Sequence, residues 1–164
     1  MKSVVSRALV ALALAVASSG AFSALAPSDA EAASGCWNRG PDRSRTFGNG
    51  IPVTEHYKTW YCYAYRAGDV MHGGVTGYLY AGTSWFVCQK KWPGHENPPV
   101  GSARNDWWLW TLGDRAASPY DDGWGWFPAT KISGGANWGR IPGHLPDCDT
   151  VPGSWVTAGA PYGP

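Results

Sequence analysis

The four cysteines are the residues whose spacing says most about their chemistry. Cys36, Cys62, Cys88 and Cys148 are separated by 26, 26 and 60 positions, with no Cys-x-x-Cys pair. Structural zinc sites usually take two thiolates from such a pair, so the spacing argues against a metal. An even number of cysteines in a secreted chain predicts disulfides instead. Three pairings are possible. We predict Cys36–Cys62 and Cys88–Cys148, which would attach an N-terminal leader and a C-terminal tail to a central domain.

The polar residues do not match a known catalytic pattern. His95 and Glu96 are followed by Asn-Pro-Pro rather than by the second histidine of a zinc-binding helix. There is no Gly-x-Ser-x-Gly nucleophile elbow. Asp121 and Asp122 are adjacent, so they cannot by themselves form the spaced carboxylate pair of a glycosidase. We predict a non-catalytic protein without metal or cofactor. A hydrolase site assembled from distant loops is the alternative.

Tryptophan is concentrated between Asn105 and Ile132, which holds five of the eleven in the chain. Successive side chains of a strand point to opposite faces, so Trp107 and Leu109 share one face. Trp108 and Trp110 share the other. One pair must therefore point away from the core.

Outward tryptophans in a row mark a ligand, a partner or a covering segment. The predicted ligand-binding residues are Trp108, Trp110, Tyr120 and Trp124, and the rim of their groove would carry acceptors from Asp114, Asp121 and Asp122. Three alternatives stay open. In the first, the rings are packed in a crowded core. In the second, a loop or the tail covers the rings. In the third, the three aspartates are solvated turn residues.

Residues 1–32 are predicted to be a signal peptide. Basic residues precede the ten-residue apolar run Ala8–Ala17, which has the length of a signal-peptide core and is too short to span a membrane. Cleavage after Ala32 fits the small residues at that point. We therefore expect a secreted, extracellular protein without a stable membrane anchor. A lipoprotein anchored through Cys36 is the alternative, but it would leave an odd number of cysteines.

The charge of the chain is nearly balanced, with 13 Lys and Arg, 12 Asp and Glu, and a net charge of +1. The basic residues are scattered, and the cluster of Arg39, Arg43 and Arg45 also contains Asp42. Nucleic-acid-binding surfaces concentrate basic residues on one face. We therefore predict no nucleic-acid partner, and we interpret the arginine cluster as a solvated loop.

Composition predicts β structure. The 22 glycines and 13 prolines interrupt every candidate helix, and aromatic and β-branched residues fill the intervals. We expect an irregular leader over 33–56, a β domain over 57–148 and a flexible tail over 149–164. The predicted strands are Tyr57–Tyr65, Val75–Tyr80, Thr83–Gln89, Trp107–Thr111 and Trp124–Pro128. They are joined by a turn over Arg66–Gly74, a long loop over Lys90–Arg104 and, at the end, a 3₁₀ turn over Ala129–Ile132.

Three segments together form a more specific pattern. They are Gly77–Thr83 (GYLYAGT) with the strand Trp85–Gln89, then Trp107–Thr111 (WWLWT), and last Gly125–Ile132 (GWFPATKI). This pattern resembles the SH3-like domains of bacterial secreted and cell-wall proteins, and it covers Val75–Ile132. The chain is also similar overall to small secreted actinobacterial proteins of uncharacterised function.

The resemblance implies a small SH3-like barrel with a long central loop, in which Trp107 and Leu109 form the inner pair. It also implies a partner, because such domains bind peptides or cell-wall glycopeptides. We therefore predict a secreted, non-catalytic binding module for cell-wall glycopeptide, peptide or glycan. The first alternative is an extracellular inhibitor or toxin that uses the loop Lys90–Arg104 against a protein, and the second is a hydrolase. Fold alone does not decide among these functions.

Overall fold

Short strands alternate with turns along the described chain. The structure is a computed structural model, and it describes residues 35–47, 53–117, 122–151 and 163–164. The strands are β1 (Cys36–Arg39), β2 (Arg43–Phe47), β3 (Val53–Tyr57), β4 (Trp60–Ala64), β5 (Gly68–Met71), β6 (Val75–Leu79), β7 (Gly82–Phe86), β8 (Cys88–Lys91), β9 (Trp107–Leu112), β10 (Arg115–Ala116) and β11 (Trp124–Pro128). Two 3₁₀ turns occupy Ala129–Lys131 and Cys148–Thr150. The fold is all-β, as predicted.

The predicted signal peptide lies outside the described residues. Within the described ranges, no helix has the length and apolarity needed to cross a membrane.

The strands form three antiparallel sheets. The largest has six strands in the order β10-β6-β5-β11-β9-β8, and a second has the order β1-β4-β7. Strands β2 and β3 pair as a separate hairpin. After β11 the chain makes its 3₁₀ turn and returns to β4, where Ile132 bridges Ala64. The backbone N–H of Ser133 also donates to the carbonyl of Tyr63 at 2.9 Å. This return joins the six-stranded sheet to the three-stranded one.

Alternation along β9 and β11 places an apolar layer on each face of the six-stranded sheet. The first core contains Leu109 and Phe127, with Trp107 partly buried against it. The second core consists of Tyr57, Val87, Cys88, Trp108, Trp110, Trp124, Trp126 and Cys148. A sheet buried on both faces needs large apolar side chains at successive positions, and this accounts for the Trp-Trp-Leu-Trp run of β9.

The prediction that the leader over 33–56 is irregular is wrong, because this segment contributes three strands. β1 pairs with β4, with Cys36 opposite Cys62, and β2 pairs with β3 in continuous register. The hairpin has few apolar residues, which is why its sequence resembles a loop. The hairpin forms because Arg45 and Tyr57 pack on the second core. Such tertiary contacts outweigh the intrinsic strand propensity of its residues.

Two predicted strands are interrupted, and one predicted turn contains a strand. The strand over Tyr57–Tyr65 breaks after Tyr57, and the strand over Thr83–Gln89 breaks at Val87. Both breaks occur where the chain passes from one sheet to another. The turn over Arg66–Gly74 includes β5, which lies between β6 and β11. The strands beginning at Val75, Trp107 and Trp124 and the 3₁₀ turn after Pro128 are confirmed.

Both predicted disulfides are present. Cys36–Cys62 joins neighbouring strands with a Cα separation of 4.2 Å, and Cys88–Cys148 joins β8 to the second 3₁₀ turn with a Cα separation of 4.9 Å. All four cysteines are buried. Two disulfides indicate folding in an oxidising environment.

A buried side-chain amide fixes the C-terminal part of the domain. Gln89 is fully buried, and its Nε2 donates to the carbonyls of Ile141 and Leu145, each at 3.0 Å. Its Oε1 accepts the N–H of Ile141 at 2.8 Å. The segment up to Leu145 is therefore an integral part of the fold. Most of the predicted tail over 149–164 lies outside the described residues.

Candidate functional site

Three of the four predicted ligand-binding residues lie in the second core. Trp108, Trp110 and Trp124 expose 3%, 0% and 4% of their surface, and Tyr120 lies outside the described residues. Trp108 and Trp110 face away from Leu109, as alternation predicts. They do not form an open groove, however, because other segments cover them. The structure thus agrees with the covering alternative for these two rings.

The loop 92–106 covers Trp108. The indole Nε1–H of Trp108 donates to the carbonyl of His95 at 2.9 Å. At the start of the loop, the rings of Trp92 and Trp126 are 5.6 Å apart and nearly perpendicular. A buried indole N–H needs an acceptor, and a loop carbonyl supplies it here.

The β2–β3 hairpin covers Trp110 and Trp124. The guanidinium carbon of Arg45 lies 5.8 Å and 5.9 Å from the two ring centroids, within the range of a cation–π contact. The ring of Tyr57 lies 5.5 Å from Trp124, and its hydroxyl donates to the Glu55 carboxylate at 2.9 Å. Burial, followed by this hydrogen bond and the charge of Glu55, raises the pKa of Tyr57 well above its ordinary value.

One groove beside this hairpin stays open, with a volume of about 440 Å³. We call it the Trp85 groove. It is lined by Asp42, Arg43, Ser44, Trp85, Leu112, Gly113, Asp114 and Trp124. Trp85 is half-buried whereas Trp124 is almost fully buried. The groove therefore combines two tryptophan rings with polar and charged side chains.

Packing holds the Trp85 ring in place without burying it. Its centroid lies 5.7 Å from that of Trp124, with the planes inclined at 60°. The guanidinium of Arg43 lies 4.9 Å from the Trp85 centroid. The hydroxyl of Thr111 donates to the Trp85 carbonyl at 2.6 Å, which fixes the backbone of β7 against β9.

Two carboxylates complete the rim of the Trp85 groove. Asp114 accepts the backbone N–H of Tyr80 at 2.7 Å, so one of its oxygens is already used. Asp42 forms an exposed ion pair with Arg39. An exposed pair of this kind contributes little to stability, about 0–1 kcal/mol, and can exchange partners at low cost. The rim therefore offers both negative and positive groups to a ligand.

A second cavity, of about 260 Å³, lies where β4 ends beside the first 3₁₀ turn. We call it the Tyr65 cleft. The Tyr65 hydroxyl donates to the carbonyl of Thr130 at 2.6 Å, and Asn137 accepts the backbone N–H of Arg104 at 2.9 Å. Among its lining residues only Arg104 is charged, and the guanidinium of Arg104 donates to carbonyls of its own loop.

The Trp85 groove brings together aromatic rings and charged side chains. No group of three or more His, Cys, Asp or Glu side chains within the described ranges is arranged to hold a metal ion. The four cysteines are all in disulfides, so they provide no thiol nucleophile.

Trp85 and Arg43 are among the groove residues that the sequence did not suggest. Trp85 belongs to a correctly predicted strand region, but its exposure depends on the β4–β7 register, which the sequence does not reveal. Arg43 lay in the segment interpreted as a solvated loop. Asp114 and Trp124 were predicted to belong to a groove at Trp108 and Trp110, and they line the Trp85 groove instead.

Comparison of the chain with protein-family models, with curated proteins and with solved structures gives no match.

Proposed function

We propose that this protein is a secreted, non-catalytic binding module of SH3-like architecture, and that its Trp85 groove binds cell-wall glycopeptide. The strand order supports the architecture. β4 leads through the β5–β6 hairpin to β7 and β8, the long loop leads to β9, and β11 leads through a 3₁₀ turn back to β4 at Ile132. The segments that carry the resemblance, 77–89, 107–111 and 125–132, lie in the strands β6 to β9, in β11 and in the 3₁₀ turn after it.

The observation that carries the proposal is a half-buried indole in an open, charged groove. Trp85 presents part of a large apolar ring to the cavity, at a position fixed by Trp124 and Thr111. Sugar rings have an apolar C–H face that stacks on such an indole, and their hydroxyls pair with carboxylates. A preformed ring of this kind binds without first losing side-chain freedom.

The mixed charge of the rim favours a glycopeptide over a bare sugar. Arg43 stands beside Trp85, where its guanidinium is suited to a peptide carboxylate. Asp42 and Asp114 lie on the same groove and are suited to hydroxyl, amide or ammonium donors. The disulfides and the predicted signal peptide support a location outside the cell, where cell-wall material is found.

The experiment is a pull-down with insoluble peptidoglycan. Trp85→Leu keeps apolar bulk but removes the flat indole, and Trp60→Leu is its matched control. Trp60 is also half-buried, but it packs against the first core and does not line the groove. We expect binding by the wild type and by Trp60→Leu, and loss of binding by folded Trp85→Leu. Absence of wild-type binding, or equal binding by both variants, would contradict the proposal.

A second candidate, an extracellular protein-binding inhibitor or toxin, is favoured by the loop 92–106. The loop is anchored to the rest of the domain, because Asn97 is buried and its side-chain oxygen accepts the backbone N–H of Thr130 at 3.0 Å. Nevertheless Pro93–Glu96 and Pro98–Pro99 are exposed. A rigid exposed loop is suited to a protein partner. Recovery of a specific extracellular protein that is lost on His95→Ala, and retained on Trp85→Leu, would favour this candidate.

A further inference from the structure

A row of tyrosines connects the two cavities. Tyr61 and Tyr63 point away from the first core, because the intervening Cys62 and the following Ala64 are fully buried in it. Tyr61 is half-buried and Tyr63 is 42% exposed. Tyr65 continues the alternation just beyond β4, with 37% exposure.

The row reaches the Trp85 groove at one end and the Tyr65 cleft at the other. Tyr61 lies directly opposite Trp85 across the β4–β7 pair, where side chains are about 5 Å apart at Cβ. Tyr65 itself lines the cleft. From Tyr61 to Tyr65 the strand advances four residues, or about 13 Å. Together with Trp85, the three tyrosines form a track that is several times longer than the contact made by one ring.

The composition of the track indicates the chemistry of its occupant. The side chains of Tyr61, Tyr63 and Tyr65, and of Thr83 opposite Tyr63, have no charge at neutral pH. Arg43, Asp42 and Asp114 lie in the groove at one end. Arg104 lines the cleft at the other end, where its guanidinium already donates to carbonyls of its own loop. A polyanion would therefore find no countercharge along the track, whereas a neutral polymer with apolar faces and hydroxyl groups would find rings and phenol hydroxyls.

The position of β4 argues against an added peptide strand. Peptides that bind to sheets pair with a free backbone edge. Strand β4 has β1 on one side and β7 on the other, so the track offers only its side-chain face.

We propose that the tyrosine track Tyr61–Tyr63–Tyr65 binds a linear, uncharged glycan chain that runs from the Trp85 groove toward the Tyr65 cleft. This inference rests on the proposed function and deepens it, since it makes the ligand an extended polymer rather than a single sugar or peptide unit. The groove alone would bind a short ligand, and each stacked tyrosine adds affinity for a longer one.

The test is a titration of the full chain with N-acetylglucosamine oligomers, comparing the disaccharide, tetrasaccharide and hexasaccharide. We expect the wild-type affinity to rise about tenfold from the disaccharide to the hexasaccharide, as one or two added ring contacts would give. Tyr63→Thr should abolish most of this gain and leave the disaccharide affinity unchanged. It creates a Thr–Thr cross-strand pair with Thr83, which a sheet tolerates. Val75→Thr, at a 50% exposed strand residue outside the track, is the control and should behave as the wild type.

Equal wild-type affinities for all lengths, or a length dependence that survives Tyr63→Thr, would overturn the proposal that the tyrosine track binds a glycan chain. Binding to peptidoglycan through Trp85 without binding of any oligomer would also overturn it, while leaving the proposed groove function intact. If neither peptidoglycan nor oligomers bind, both proposals fail.

Discussion

The ring of Tyr57 packs on that of Trp124 with the centroids 5.5 Å apart and the planes inclined at 55°. Through this contact the N-terminal hairpin closes one side of the second core, and it also forms one wall of the Trp85 groove. The leader is thus a structural part of the candidate site, and its loss would affect both stability and binding.

Tyr57→Ala should destabilise the protein strongly. Tyr57 is 1% exposed, and truncating a buried aromatic residue to alanine costs about 3–5 kcal/mol. Urea unfolding followed by tryptophan fluorescence measures this change. Tyr63→Ala, at a 42% exposed tyrosine, should change the free energy of unfolding by less than about 1 kcal/mol. Similar losses for the two variants would show that the hairpin is not packed as described.

Tyr57 should also make stability sensitive to alkaline pH. Its folded pKa is raised, mainly by burial and then by Glu55, whereas the unfolded value is about 10. The neutral phenol is therefore preferred in the folded state. This contribution is fully present below about pH 10 and is lost as pH rises toward the folded pKa.

The measurement is urea unfolding of the wild type and of Tyr57→Phe at about pH 8 and about pH 11, which lie on either side of the ordinary tyrosine pKa. The wild type should lose more stability than Tyr57→Phe between these conditions. Both proteins share all other titrating groups, so the difference isolates Tyr57. Parallel losses would contradict the burial of its hydroxyl.

The buried amide of Gln89 should be essential for docking of the C-terminal segment. Gln89→Met preserves most of the side-chain volume but removes all three hydrogen bonds to Ile141 and Leu145. Unpaired buried polar groups cost about 1–3 kcal/mol each, so we expect a loss of about 3 kcal/mol or more. Amide exchange at Ile141 should accelerate with it. Lys58→Met, at an exposed lysine, is the control and should change stability little. An effect of Gln89→Met as small as that of the control would refute the role of the amide.

Removing the disulfide Cys88–Cys148 should cost somewhat more than removing Cys36–Cys62. The sequence separations are 60 and 26 residues, for which chain entropy gives about 4 and about 3.5 kcal/mol. The paired Cys→Ser variants, compared by urea unfolding, measure both values. A negligible cost for either pair would mean that the bond does not constrain the unfolded chain as this calculation assumes.

Much of the fold after Val75 is predictable, because the strand and turn preferences of the local sequence agree there with the tertiary structure. The strands at Trp107 and Trp124 have aromatic and β-branched residues bounded by turns, and Pro128 ends the last of them. The predicted attachment of the leader and of the tail by one disulfide each is confirmed. That criterion alone does not select the partners, because Cys36–Cys88 with Cys62–Cys148 would satisfy it as well. The opposite faces of Trp108 and Leu109 follow from strand geometry alone.

The remaining features depend on contacts between distant segments. The β2–β3 hairpin is polar, and its packing on Trp110 and Trp124 helps to stabilise it. Strand β5 begins at Gly68, and a glycine at this position fits the predicted turn equally well. The side chain of Lys131 packs against the strand at Gly68, and its amino group donates to the carbonyl of Ala67 at 3.0 Å. The predicted groove was misplaced for the same reason. Trp108 and Trp110 are covered by the loop 92–106 and by the β2–β3 hairpin, two segments for which the sequence predicts no strands.

The most direct test of the central claim, that the Trp85 groove binds cell-wall glycopeptide, is an NMR titration with a soluble muropeptide. Each tryptophan indole N–H gives a separate signal, and single Trp→Phe variants assign them. We predict that the Trp85 indole and the backbone amides of Gly113 and Asp114 shift together, while the Trp60 and Trp107 indoles do not. Saturable shifts confined to other residues, or no shifts at all, would contradict the account.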